Sequence, residues 1–270
     1  MAQAEHFFFS PEMRQIHLKG YSEEEKEAIE KDLSVVRSVC FSPVTEKKEK
    51  KILYLATAGG PGSRKTTILE RFIKDHNLNS SVVYLDPDQR ALKFMPHTYY
   101  SRSLCAFELA KFENYSLAVK NAYEKWRGAS NYITLTLMEE AFAQQKSIAH
   151  GTTSTGDHIT KFYPKLKEAG YEIVLLLCFA DDDFRQKAVQ YRNDEQKFYQ
   201  STPEDAVSKG KSFYQKIQNY FTYADTLYLF WSDDLQTNER LVAIVTEGKT
   251  EIHDSEAFNK IQNVSGGVIQ

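Results

Sequence analysis

The chain is poor in cysteine, in long apolar runs and in clustered basic charge, and each shortage removes a class of protein. Three cysteines, Cys40, Cys105 and Cys178, stand in 270 residues. They lie far apart, without the close pairs of a zinc site or a disulfide framework, and read as buried thiols in a reducing compartment. The longest apolar run, Ile173 to Ala180, is about a strand long and far below the roughly 20 residues a membrane helix needs. The opening MAQAEHFFFS has a Phe cluster but neither the basic start nor the extended apolar stretch of a secretory signal. No basic stripe suggests a nucleic-acid track, since the net charge of −3 comes from mixed acids and bases. Repeats and low-complexity tracts are missing too. A hydrophobic fraction of 41% and a charged fraction of 26% fit an ordinary globular chain, expected in the cytoplasm with no membrane association and no nucleic-acid partner.

Local patterns indicate an α/β organisation. Ser22 to Val36 reads as a helix, with Ser22 as N-cap and acids in the first turn. Residues 46–51, EKKEKK, read as a solvated connector, so the expected division is a helical segment and linker over 1–48 and a main domain over 49–270. KILYLAT then has the look of a buried parallel strand. A glycine-rich turn follows it, and TTILERFIKDH places Ile68, Leu69, Phe72 and Ile73 on one helical face. Further strands are expected at 81–86, 146–150 and 171–180, separated by the helical stretches ENYSLAVKNAYEKW, ITLTLMEEAFAQQ and HITKFYPKLKEAG. Alternation of this kind implies a parallel sheet flanked by crossover helices. Residues 183–220 read as helical, interrupted at Ser201-Thr202-Pro203, with Pro203 suited to the first turn of a new helix and the whole suited to a lid. DTLYLFW gives a fifth strand, with RLVAIVTEG and KTEIHD as a short β extension.

Gly59, Gly60, Pro61, Gly62, Ser63, Arg64, Lys65, Thr66 and Thr67 carry the chemistry. The segment has the length and Lys-Thr ending of a nucleotide-binding loop, with Arg64 where the pattern has glycine. Glycines let backbone N–H groups converge on an anion, the following helix offers its positive end, and Lys65 can reach the β- and γ-phosphates of ATP or GTP. Thr66 offers a hydroxyl to Mg²⁺. Arg64 fits if its torsions avoid a Cβ clash, and otherwise distorts the loop.

Taken in order over roughly residues 50 to 255, GGPGSRKTT, VVYLDPDQR with MPHTYY, IAHGTTS, AGYEIVLLLCFA leading into FRQKAVQYR, STPEDA and YADTLYLF resemble the zeta-toxin family of P-loop kinases. These are bacterial proteins that use ATP to phosphorylate UDP-N-acetylglucosamine and related small molecules. The resemblance implies a P-loop NTPase-type sheet with a helical lid and a kinase with an alcohol group as acceptor. By this resemblance Asp88 matches the second acid of a strand-end Asp-x-Asp and is the expected base, and Asp86 matches the first. Lys65 and Thr66 hold phosphate and Mg²⁺, and Arg192 neutralises the transferring group. Where the family has Glu-Gly-Thr this chain has His150-Gly151-Thr152, and where the family has Arg before Ala-Thr-Pro it has Gln200, with Lys197 or Arg185 as stand-ins.

Asp86, His150, Thr152 and Arg185 are therefore the expected substrate contacts. Alternatives stay open at three of them: Asp86 as a helix cap, His150 as a hydrogen-bonded core residue, and Arg185 and Arg192, seven apart, as a solvated helical face. Two rival functions remain beside the kinase: a catalytically impaired nucleotide-binding regulator or effector, and an interaction protein docking a partner through its N-terminal segment.

Overall fold

A computed structural model describes residues 8–45, 51–104, 115–157, 159–195, 199, 201–236, 239–267 and 269. Cys105, Lys197, Gln200 and connector residues 46–50 lie outside the described residues, as does the side chain of Tyr115. In chain order the regular elements are α1 (Pro11–Gln15), α2 (Glu23–Phe41), β1 (Ile52–Ala58), α3 (Lys65–Asp75), β2 (Val82–Leu85), α4 (Tyr115–Ala143), β3 (Ser147–His150), α5 (Ile159–Glu168), β4 (Tyr171–Phe179), α6 (Asp182–Glu195), α7 (Pro203–Gln215), α8 (Ile217–Tyr223), β5 (Thr226–Trp231), β6 (Arg240–Thr246), β7 (Lys249–Ile252) and α9 (Ser255–Val264). The sheet has seven strands in the order β2-β3-β1-β4-β5-β6-β7. Two compact units divide the chain, Met1–Lys47 with Ser80–Ile148, and Lys48–Asn79 with Ala149–Gln270.

In the first unit α2 begins as its sequence prescribes. Ser22 Oγ accepts from Glu25 N at 3.2 Å and Glu25 Oε2 accepts from Ser22 N at 2.9 Å, a reciprocal cap. The helix then runs past Val36 to Phe41 because Cys40 continues the face of Ile29, Leu33 and Val36 that is buried. Helix α4 is one rod of 29 residues where the sequence suggests two stretches. Gly128 lies within it, and a Cβ there would come 2.7 Å from the His17 carbonyl oxygen. That glycine admits close packing rather than ending the helix. The Trp126 indole is fully buried and donates to Ser103 Oγ at 2.7 Å. After β2 come a π-helical turn at Pro87–Ala91, a 3₁₀ turn at Leu92–Phe94 and a second π-helical stretch at Pro96–Leu104.

In the second unit β1 pairs in parallel with β4, from Ile52 opposite Tyr171 to Ala58 opposite Leu177, and β4 pairs in parallel with β5. These strands are mostly apolar and buried, as strands covered on both faces are, with Thr57 of β1 and Glu172 of β4 among the exceptions. β6 and β7 are antiparallel additions to the parallel core. Glu247 and Gly248 join them with φ of 50° and 75°, the positive torsions of a tight hairpin. Helix α7 opens with Pro203 in its first turn and Thr202 as cap, its hydroxyl accepting from Asp205 N at 3.1 Å. Among the described residues no helix is long and apolar enough to cross a membrane.

Candidate functional site

The glycine-rich turn leaves the carboxyl end of β1 and runs straight into α3, so the first turn of that helix opens on the loop. The turn is held from beneath. Gly59 N donates to Thr153 O at 3.1 Å, and a Cβ on Gly59 would sit 2.6 Å from Cys178 O and 2.7 Å from Ser63 Oγ. Fully buried Ser63 donates its hydroxyl to Gly60 O at 2.8 Å. Lys65 Nζ donates to the same carbonyl at 2.7 Å, which folds the ammonium back over the turn. Thr66 is half-buried and Thr67 exposed at the start of α3. Gly62 has φ 81°, and Arg64, the residue before Lys65, is also left-handed at φ 59° and ψ 25°.

Arg185 lies under the turn with 2% exposure. Its guanidinium donates to Ala206 O and pairs with Asp182, and Cβ atoms built on Gly60 or Gly210 would fall inside it. Arg192 donates to Ser201 Oγ at 2.9 Å, and Asn193 to Ser201 O at 2.9 Å, tying α6 to the residues before α7.

The loop after β3 is fastened to β1. The Thr57 hydroxyl donates to Thr152 O at 2.6 Å and accepts from Thr152 N at 3.0 Å, while Thr152 Oγ1 accepts from Ser154 N at 3.1 Å. Ser154 Oγ donates to Thr57 O at 2.8 Å. His150 is half-buried, with Nδ1 at 2.7 Å from the Tyr54 hydroxyl. Burial pushes that phenol well above its ordinary pKa, so it keeps its proton. We assign Tyr54 as donor and Nδ1 as acceptor, which puts the imidazole proton on Nε2.

In the other unit Asp86 directly follows β2. Its Oδ1 accepts from Asp88 N and Gln89 N, both at 2.8 Å, so it does cap the turn that follows. Burial, then repulsion from Asp88, pushes the Asp86 carboxyl from 3.8 up to about 6. The Asp88 carboxylate is ion-paired with Arg127 of α4.

The Zeta toxin family model matches residues 40–257. The chain belongs to the Zeta toxin family. Solved structures with the same fold include the crystal structure of AvrRxo1-ORF1:-ORF2 with ATP, 15% identical with a TM-score of 0.66, covering 97% of this chain and 79% of that one. The PezAT chromosomal toxin–antitoxin system of Streptococcus pneumoniae is also 15% identical, with a TM-score of 0.55 and coverage of 93% and 91%. No curated protein sequence matches the chain. The P-loop kinase-like fold is therefore secure on two grounds, the family match and the shared architecture.

Within this Zeta toxin fold one unit contains Gly59 to Thr67, Thr152, Arg185 and Arg192, of which Arg185 lies against the loop at Gly60, and the other contains Asp86 and Asp88. Sequence reasoning passed over Arg127, Thr57, Tyr54, Gly210 and Glu239. Thr57, one residue before the end of β1, is a polar residue in an otherwise apolar strand, and that was a usable signal. Arg127 and Glu239 sit in charged stretches like many others, and only folding reveals their partners.

Proposed function

We propose that the chain is an ATP- or GTP-dependent phosphotransferase whose acceptor is a hydroxyl of a small molecule, with nucleotide sugars such as UDP-N-acetylglucosamine as the acceptor class. The observation that carries this is the ammonium of Lys65 turned onto Gly60 O, at the mouth of a loop between the first strand and its helix. A triphosphate offers that cation charged oxygens in place of a neutral carbonyl, and the outward amides of α3 add directed donors. The ATP of the AvrRxo1-ORF1:-ORF2 structure supports the same donor here.

Thr66 fits a Mg²⁺ ion, because a hydroxyl and phosphate oxygens make the hard oxygen set this cation takes. Once bound, the ion would neutralise charge across the β- and γ-phosphates. Lys65 and Arg192 stabilise charge on the transferred group, and Asp88 takes the proton of the acceptor hydroxyl. Asp86 orders the turn that carries Asp88, through its bond to Asp88 N. His150, at the end of β3, is our choice for a further contact to the acceptor substrate.

Isothermal titration with a nonhydrolysable ATP analogue and Mg²⁺, followed by a screen of phosphate acceptors, tests the assignment. Phosphorylated product that disappears with Asp88→Asn is the expected result. A second reading, a nucleotide-binding regulator with impaired transfer, is favoured by the Asp88–Arg127 pair, because a carboxylate already engaged by a guanidinium has to leave that partner to meet an acceptor hydroxyl. Binding without turnover selects it. PezAT, as a toxin–antitoxin system, supports a protein partner for this chain, and the N-terminal segment is our choice of docking element.

A further inference from the structure

The loop pattern reserves for glycine the place that Arg64 holds, and Arg64 adopts the left-handed backbone glycine would enter freely, φ 59° and ψ 25°. A residue with a Cβ carries strain there, so the conformation persists only where neighbours over-determine it. Those neighbours are identifiable. Arg64 Nε lies 2.7 Å from Glu239 Oε1, and the Glu239 side chain is 0% exposed. Arg64 Nη1 also donates to the carbonyls of Asp234 at 3.0 Å and Leu235 at 3.4 Å. The second oxygen of Glu239 lies 3.0 Å from Nη1 of Arg71, further along α3, and Arg71 Nη2 donates to Glu239 O at 3.0 Å. One carboxylate withdrawn from water is thus shared between the cap and the middle of the helix that follows the loop.

We propose that Glu239 is a positioning residue for the nucleotide loop, clamping Arg64 in the left-handed conformation so that an ion pair replaces the freedom of the missing glycine. Its effect on nucleotide affinity rests on the reading of the loop as a phosphate site. Its effect on loop geometry does not.

The test compares wild type, Glu239→Gln, Arg64→Gly and the double variant of the full chain by two readouts. One is hydrogen exchange of the amides in 59–67 without nucleotide, and the other is affinity for a nonhydrolysable ATP analogue with Mg²⁺. Glu239→Gln should quicken exchange across the loop and weaken binding about tenfold, the scale set by one left-handed residue. Adding Arg64→Gly should restore slow exchange and recover most of the lost affinity, because glycine holds this backbone unaided. A purely structural Glu239 would show no such rescue, and a double variant as defective as Glu239→Gln overturns the proposal. Should Glu239→Gln fail to fold, Arg64→Met probes the clamp from its other end. That variant keeps a Cβ but loses the ion pair, so its loop must exchange faster than that of Arg64→Gly, and equal rates overturn the clamp. If wild type shows no Lys65-dependent nucleotide binding, the phosphate reading fails while the exchange comparison still decides the clamp.

Discussion

Replacing Gly210 by alanine should destabilise this protein, although the same change in an exposed helix would stabilise it by about 1 kcal/mol. Gly210 is buried in α7, and a new Cβ would fall among the guanidinium atoms of Arg185. That side chain, 2% exposed, would have to leave its slot and give up its donation to Ala206 O. A hydrogen bond from a charged group is worth about 1.5–3 kcal/mol. Overpacking adds about 1–3 kcal/mol. The Asp182 partner is half-exposed and adds little. Less the helix-propensity gain, the net loss is about 1.5–5 kcal/mol, or on the order of 10 °C in Tm for a chain of this size. Thermal unfolding followed by circular dichroism reads this directly. Arg185→Ala empties the slot, so the double variant should be less destabilised than the sum of the single changes. A Tm for Gly210→Ala at or above wild type would refute the role given to Arg185 beneath the loop.

Three further outcomes are expected. Asp88→Asn should abolish phosphoryl transfer while leaving nucleotide affinity within about threefold, and retained turnover would remove Asp88 as base. Arg127→Met frees Asp88 from its ion pair, so kcat should rise with nucleotide affinity unchanged, and an unmoved kcat would show that the pair does not hold the base back. The Asp86 carboxyl is raised from 3.8 to about 6, so the folded state binds its proton more tightly than the unfolded chain does. Stability from this group is full below about 4 and is lost as pH rises through about 6. Asp86→Asn should therefore gain stability relative to wild type between those values in urea unfolding, and a difference independent of pH would contradict the burial argument.

What could be read in the sequence was whatever depends on near neighbours in the chain. The Ser22 and Glu25 cap, Pro203 at the start of α7, the strand–loop–helix unit around Gly59 to Thr67, and the apolar β4 all follow from spacing within a turn or two. The rest depended on distant residues. The continuity of α4 through Gly128 rests on close packing against His17, which the chain order does not reveal. Arg185 looks like a lid cation until Gly60 and Gly210 are seen to make its slot. Arg64 reads as a defect in a phosphate loop until Glu239, far along the chain, is found paired to it. His150 left open two readings, and its bond to the Tyr54 hydroxyl, on β1, could not be read from the chain. Asp86 takes the cap reading, its Oδ1 accepting from two amides of the turn, and its burial was not legible in the chain.

The central claim is that the loop between β1 and α3 holds a triphosphate tail with the help of Lys65. Titration of wild type and Lys65→Ala with a nonhydrolysable ATP analogue and Mg²⁺ tests it most directly. Loss of one charged donor, about 1.5–3 kcal/mol, predicts a Kd roughly 10- to 100-fold higher for the variant. Equal affinity in the two proteins, or no binding by wild type at saturating nucleotide, would contradict the account.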